Sequence, residues 1–73
     1  MAQHPITAEQ VRRHLLERIS AFQAKAGLTD ASVGTNAVGD HKIVARIRAG
    51  ENFTIKTYQR LIDWLDEQER AAA

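Results

Sequence analysis

Glycines 27, 39 and 50 divide a chain of helical periodicity into four segments, and each is followed within four residues by a side chain that caps helices. Gly27 precedes Thr29 and Asp30, Gly39 precedes Asp40, and Gly50 precedes Thr54. Glycine ends a helix because it enters the left-handed conformation without steric cost. Thr and Asp start one by accepting a hydrogen bond from a free backbone N–H of the first turn. No segment alternates apolar and polar residues with period two for long enough to form a strand. The expected fold class is all-α, in one domain over residues 1–73.

The first helix is expected after Thr7, where Thr7-Ala8-Glu9-Gln10 reads as a capping box. Val11, Leu15, Ile19, Phe22 and Ala26 then form one apolar stripe, and Gly27 stops the helix. A second helix starts at Thr29 or Asp30 and runs to about Ala37. Asp40 is the expected N-cap of a third, with Ile43, Val44 and Ile47 turned inward and Gly50 at its end. Thr54 caps a fourth, whose buried stripe is Ile55, Tyr58, Leu61, Ile62 and Leu65. Residues 1–6 and 70–73 are expected to be flexible ends.

A chain of 73 residues buries only about 60% of its extended surface, which suffices for a small helical core but not for an enclosed active site. There is no cysteine, hence no disulfide and no thiolate metal site. His4, His14 and His41 are scattered, and no two share a ligand spacing on one helix, so neither a metal nor a cofactor is expected. No apolar run approaches the roughly 20 residues of a membrane span, and the N-terminus has no leader pattern, so a cytoplasmic protein is expected. Asp63, Asp66 and Glu67 lie on a terminal helix without a nucleophile nearby, and they read as solubilising charges rather than catalytic acids. The chain is not expected to be an enzyme.

The net charge of +1 conceals a segregation. Residues 42–60 hold Lys42, Arg46, Arg48, Lys56 and Arg60 against Glu51 alone, whereas Asp63, Asp66, Glu67 and Glu69 gather near the end. A basic middle and an acidic tail suit an anionic partner, although exposed basic residues are also ordinary on a solvated face.

Two short helices joined by about three residues define a helix-turn-helix, here over residues 29–50. Val33 must pack inward, Gly34 marks a close crossing that needs a small residue, and Val44 and Ile47 pack back from the second helix. From Gly27-Leu28 to Gly50, and on through Thr54-Ile55-Lys56-Thr57-Tyr58-Gln59-Arg60-Leu61-Ile62-Asp63-Trp64-Leu65, the chain resembles the lambda-repressor-like family of phage repressor, Cro and XRE-type regulators. The resemblance covers about residues 11–65. Gly34 stands where the family has alanine, the turn glycine comes one place late as Gly39, and Phe53 replaces a common proline. The family resemblance implies a compact bundle of four helices, or five as in many members.

It also implies that the third helix reads double-stranded DNA. His41, Lys42, Ala45 and Arg46 are then the residues facing base edges, with the Arg46 fork suited to guanine O6 and N7. Thr29, Thr54, Lys56 and Thr57, near helix N-termini, would contact phosphate. Arg48, nearer the flank, would meet phosphate or an intramolecular acid. Trp64 lies beside the buried stripe and reads as a core-edge residue or a dimer contact. The function so implied is sequence-specific DNA binding by a transcriptional regulator of phage or bacterial type, a homodimer on an operator, with no small-molecule effector evident. Two alternatives stand beside it: a DNA-binding module of an antitoxin or of a phage packaging or recombination machine, and a helical protein-interaction module with no nucleic-acid role.

Overall fold

The computed structural model describes residues 8–72, which form four helices and no strand. They are α1 (Ala8–Ala26), α2 (Asp30–Val38), α3 (Ile43–Arg48) and α4 (Ile55–Ala72). Thr7, the expected first cap, lies outside the described residues, as does the expected flexible segment 1–6. At the other end α4 continues through Ala72, so residues 70–72 are helical.

The core draws on every helix. Leu15 and Ile19 of α1, Val33 of α2, Val44 and Ile47 of α3, and Leu61 and Leu65 of α4 are each at most 1% exposed. Fully burying an aliphatic side chain of this size contributes on the order of 1.5–3 kcal/mol. Leu16, Phe22, Leu28, Ile43, Phe53, Tyr58, Ile62 and Trp64 close round this centre as half-buried neighbours. The expected stripes therefore face the core, with two corrections. Ala26 is exposed at the last turn of α1, and Ile55 is 78% exposed. Ile55 is the first residue of α4, ahead of the turn at which that helix meets its neighbours, and Phe53 from the preceding loop packs on the core instead.

The helix boundaries follow the caps. Of the two candidates for the start of α2, Thr29 is the cap: its hydroxyl accepts from the Ser32 N–H at 3.1 Å. Thr54 does the same for α4, accepting from the Thr57 N–H at 3.0 Å. Gly39, with φ of +74°, closes α2, and its N–H donates to the Thr35 carbonyl at 3.0 Å. A side chain with a Cβ would be strained in that conformation by about 1–2 kcal/mol.

The start of α3 differs from expectation. Asp40 heads a turn rather than the helix itself: its Oδ1 accepts from the Lys42 N–H at 2.9 Å and its carbonyl from the Ile43 N–H at 3.3 Å. Residues 41–42 are spent in that turn, and α3 runs only from Ile43 to Arg48.

A buried arginine joins α1 to the loop after α3. Arg12, 9% exposed, donates from Nη2 to the carbonyls of Gly50 at 3.1 Å and Glu51 at 3.2 Å. Its Nη1 pairs with Glu9, and its guanidinium lies 6.0 Å from the Phe53 ring centroid. At the far end, Arg18 of α1 bridges Asp66 at 2.8 Å and Glu69 at 3.0 Å on α4. The hydrogen bond to Asp66 raises the Arg18 pKa most; burial opposes it, and the two acidic charges reinforce it. Asp66, one of the acids read as merely solubilising, thus ties the terminal helix to the first together with Glu69.

Candidate functional site

The centre of the site is the crossing of α2 and α3. Gly34 is buried there, and its carbonyl accepts from the Asp40 N–H at 3.2 Å. A Cβ at position 34 would overlap the Asp40 carbonyl oxygen and stand 3.0 Å from Ile43 Cγ2. The glycine expected to mark a close crossing is thus required by the approach of the turn to the helix. The nearest obstacle is backbone, which a rotamer change cannot clear.

A second link fixes α3 from its other end. Arg48 Nε donates to Asp30 Oδ2 at 3.1 Å, and its Nη2 reaches Asp30 Oδ1 at 3.2 Å, Gln23 Oε1 at 3.0 Å and Ser20 Oγ at 3.3 Å. Gln23 Nε2 in turn donates to Asp30 Oδ1 at 2.7 Å. One guanidinium therefore joins α1, the start of α2 and the end of α3. Burial alone would raise the Asp30 pKa, but the hydrogen bonds from Arg48 and Gln23, with the Arg48 charge, leave it below the ordinary 3.8. Of the two partners that the sequence allows Arg48, the structure supplies the intramolecular acid. Its Nε and Nη2 are engaged within the fold, while the side chain stays 36% exposed.

With Val44 and Ile47 buried and Ile43 half-buried, the outer face of the turn and α3 carries His41, Lys42, Ala45, Arg46 and Ala49, all exposed. His41 and Lys42 sit in the turn before α3, not on its first helical turn as the sequence suggests. Neither side chain makes a hydrogen bond or ion pair with another described residue. Arg46 does: its Nη2 donates to Asp40 Oδ2 at 2.8 Å, while its side chain stays 45% exposed. This surface is a small, positively charged ridge flanked by two alanines.

The flanking candidates divide. The hydroxyls of Thr29 and Thr54 are engaged as caps and donate to Ser32 Oγ at 3.1 Å and Thr57 Oγ1 at 3.0 Å. Lys56 is exposed and has no partner among the described residues. No hydrogen bond links residues 54–57 to residues 41–46 among the described residues, so the fold presents the two groups from separate elements. Trp64 meets Phe22 edge to face, with ring centroids 5.2 Å apart, and is itself partly buried against the core. It holds the core edge between α4 and α1. No group of three or more His, Asp or Glu side chains among the described residues is placed to hold a metal ion. No described helix is long and apolar enough to cross a membrane.

Two residues that matter to this geometry escape sequence inspection. Arg12 lies three residues before Leu15 and seven before Ile19, squarely on the buried stripe, and a charge at that register was the available signal. Asp40 reads as a cap, and nothing in its spacing announces a second partner. Comparison with family models, with curated proteins and with solved structures gives no match for this chain.

Proposed function

We propose that residues 29–50 form a helix-turn-helix of the lambda-repressor-like kind and that the protein is a non-catalytic, sequence-specific binder of double-stranded DNA. On this reading it is a transcriptional regulator of phage or bacterial type and acts as a homodimer on an operator. The observation that carries the proposal is the α2–α3 crossing. A close backbone contact at Gly34 and Asp40 fixes the angle of α3, whose apolar face is spent on the core and whose other face is exposed and basic. Such a helix fits the major groove, where Arg46 matches the paired acceptors of guanine and the small Ala45 and Ala49 permit close approach. Lys42 and Lys56, unpartnered within the described fold, suit phosphate on either side.

The test is selection of bound sequences from a random duplex pool, followed by affinity measurement across a salt series. A DNA binder of this class yields a sequence with two half-sites about 34 Å apart and loses affinity steeply as salt rises. Arg46→Ala should cost about 1–3 kcal/mol on the selected site and relax one base pair, whereas Lys56→Ala should weaken all sequences alike. Salt-independent or absent duplex binding would instead favour a protein-interaction module. The exposed Ile55, beside a groove lined by Val11 and Phe53, is the observation on that side.

A further inference from the structure

We infer that Asp40 is the specificity-determining positioning residue of this surface: it holds the Arg46 guanidinium in place for a guanine edge. The inference rests on the DNA-binding reading above and gives a role to the side chain of a residue that enters that reading only through its backbone.

Asp40 is anchored through its backbone and its side chain at once. Its N–H donates to the Gly34 carbonyl at 3.2 Å, its carbonyl accepts from Ile43, and its Oδ1 accepts from the Lys42 N–H at 2.9 Å. The remaining oxygen, Oδ2, takes Arg46 Nη2 at 2.8 Å. Both partners remain open to solvent, with side chains 37% and 45% exposed. An ion pair so exposed does little for folding. Its effect is on orientation, because a long side chain that samples many rotamers is held by a carboxylate whose other oxygen is tied to the Lys42 N–H.

Binding chemistry gives that restraint a direction. A free arginine on a basic surface satisfies itself with any phosphate oxygen, which gives affinity without sequence preference. Held by Asp40, Arg46 still has N–H donors left over, and guanine offers two acceptors, O6 and N7, to meet them. Adenine presents its N6 amino donor where guanine has O6, so a fixed guanidinium meets a like group there. The Asp40 charge also opposes phosphate wherever Arg46 is not beside it. The pair therefore penalises wrong sequences as well as favouring the right one.

Asparagine at 40 isolates this role. It keeps an oxygen to accept from the Lys42 N–H, and asparagine caps as well as aspartate, but it offers no charge to Arg46. The probes are a duplex selected by the wild-type protein, the same duplex with the Arg46-dependent G·C pair changed to A·T, and a random duplex. Wild type should prefer G·C by about 5- to 150-fold, the range of a good bidentate contact. Asp40→Asn should cut that preference at least about fivefold, tighten binding to the random duplex and leave the unfolding midpoint unchanged. In an Arg46→Ala background the same change should alter the G·C preference no further, which is the coupling that a cycle detects. Three results overturn the inference: an Asp40→Asn protein with full G·C preference, an equal loss with and without Arg46, or a loss that tracks a lowered unfolding midpoint. The second is the mark of a carboxylate reading cytosine N4 on its own. Absence of salt-dependent binding by the wild type overturns the parent reading and this inference together, and is told apart from the other results by that first measurement.

Discussion

Replacing Gly34 by alanine sets two effects of opposite sign against each other. Position 34 is interior to α2, where alanine is favoured over glycine by about 1 kcal/mol. Against this, the added methyl overlaps the Asp40 carbonyl oxygen and lies 3.3 Å from its carbon and 3.0 Å from Ile43 Cγ2. The isoleucine methyl can rotate away; the carbonyl cannot unless the turn moves. That turn is fastened by Gly39 N–H to Thr35, Ile43 N–H to Asp40 and Lys42 N–H to Asp40 Oδ1, at 3.0, 3.3 and 2.9 Å. Overpacking of this sort costs about 1–3 kcal/mol. Displacing Asp40 also gives up its hydrogen bond to Gly34, worth about 1 kcal/mol. The net is a loss of about 1–3 kcal/mol, because the propensity gain offsets only part of the cost. For a domain of this size each kcal/mol moves the thermal midpoint by about 4–8 °C, so a fall of about 5–20 °C is expected. Helical circular dichroism followed on heating measures it, and urea unfolding with an unchanged slope shows that the native state alone has changed. A midpoint equal to or above that of the wild type would refute the close-crossing argument, since helix propensity would then be the only effect acting.

Arg12→Ala should cost about 2–4 kcal/mol in chemical unfolding, because it strands the Gly50 and Glu51 carbonyls and removes packing from Phe53; Arg12→Met should recover only the packing part. Asp30 binds its proton more weakly in the folded protein than in the unfolded chain, so its contribution is present above the ordinary 3.8 and disappears as pH falls through the lower folded value. The stability gap between wild type and Asp30→Asn should accordingly be wider at about pH 7 than at about pH 2, and a gap independent of pH would contradict the Arg48–Asp30 link. Ile55→Ala should change monomer stability by less than about 0.5 kcal/mol, as for other exposed positions, and a loss of core size would show that the side chain is buried after all.

Much of the fold was legible because its punctuation is local. The Thr29 and Thr54 caps and the stops at Gly27 and Gly39 depend on residues within one turn of one another, and so do the faces of α1 and α4. The parts that were not legible join distant positions. Arg12 reaches residue 50, Arg48 reaches residues 20 to 30, and Arg18 reaches residues 66 and 69. No periodicity announces such pairs, since each depends on how the helices come to lie together. Ile55 misleads for a related reason: it has the right spacing for the stripe, but no described residue covers it at that end of the helix. At the candidate site, the exposed residues 41, 42, 45 and 46 followed from the inward set Val44 and Ile47. The Asp40–Arg46 pair did not, because a capping aspartate leaves no trace in sequence of what its second oxygen does.

Arg48 has a consequence for how this protein can change over time. By pinning α3 to Asp30, Gln23 and Ser20, it fixes the frame from a position outside the exposed ridge. Residues 41, 42, 45 and 49 then carry neither core packing nor a helix-to-helix link. Side chains there can be exchanged with little risk to folding, so a lineage could explore new surfaces on α3 by single substitutions while the scaffold stays put. Variation in a library of this domain should concentrate at those four positions and avoid Gly34, Asp30 and Arg48.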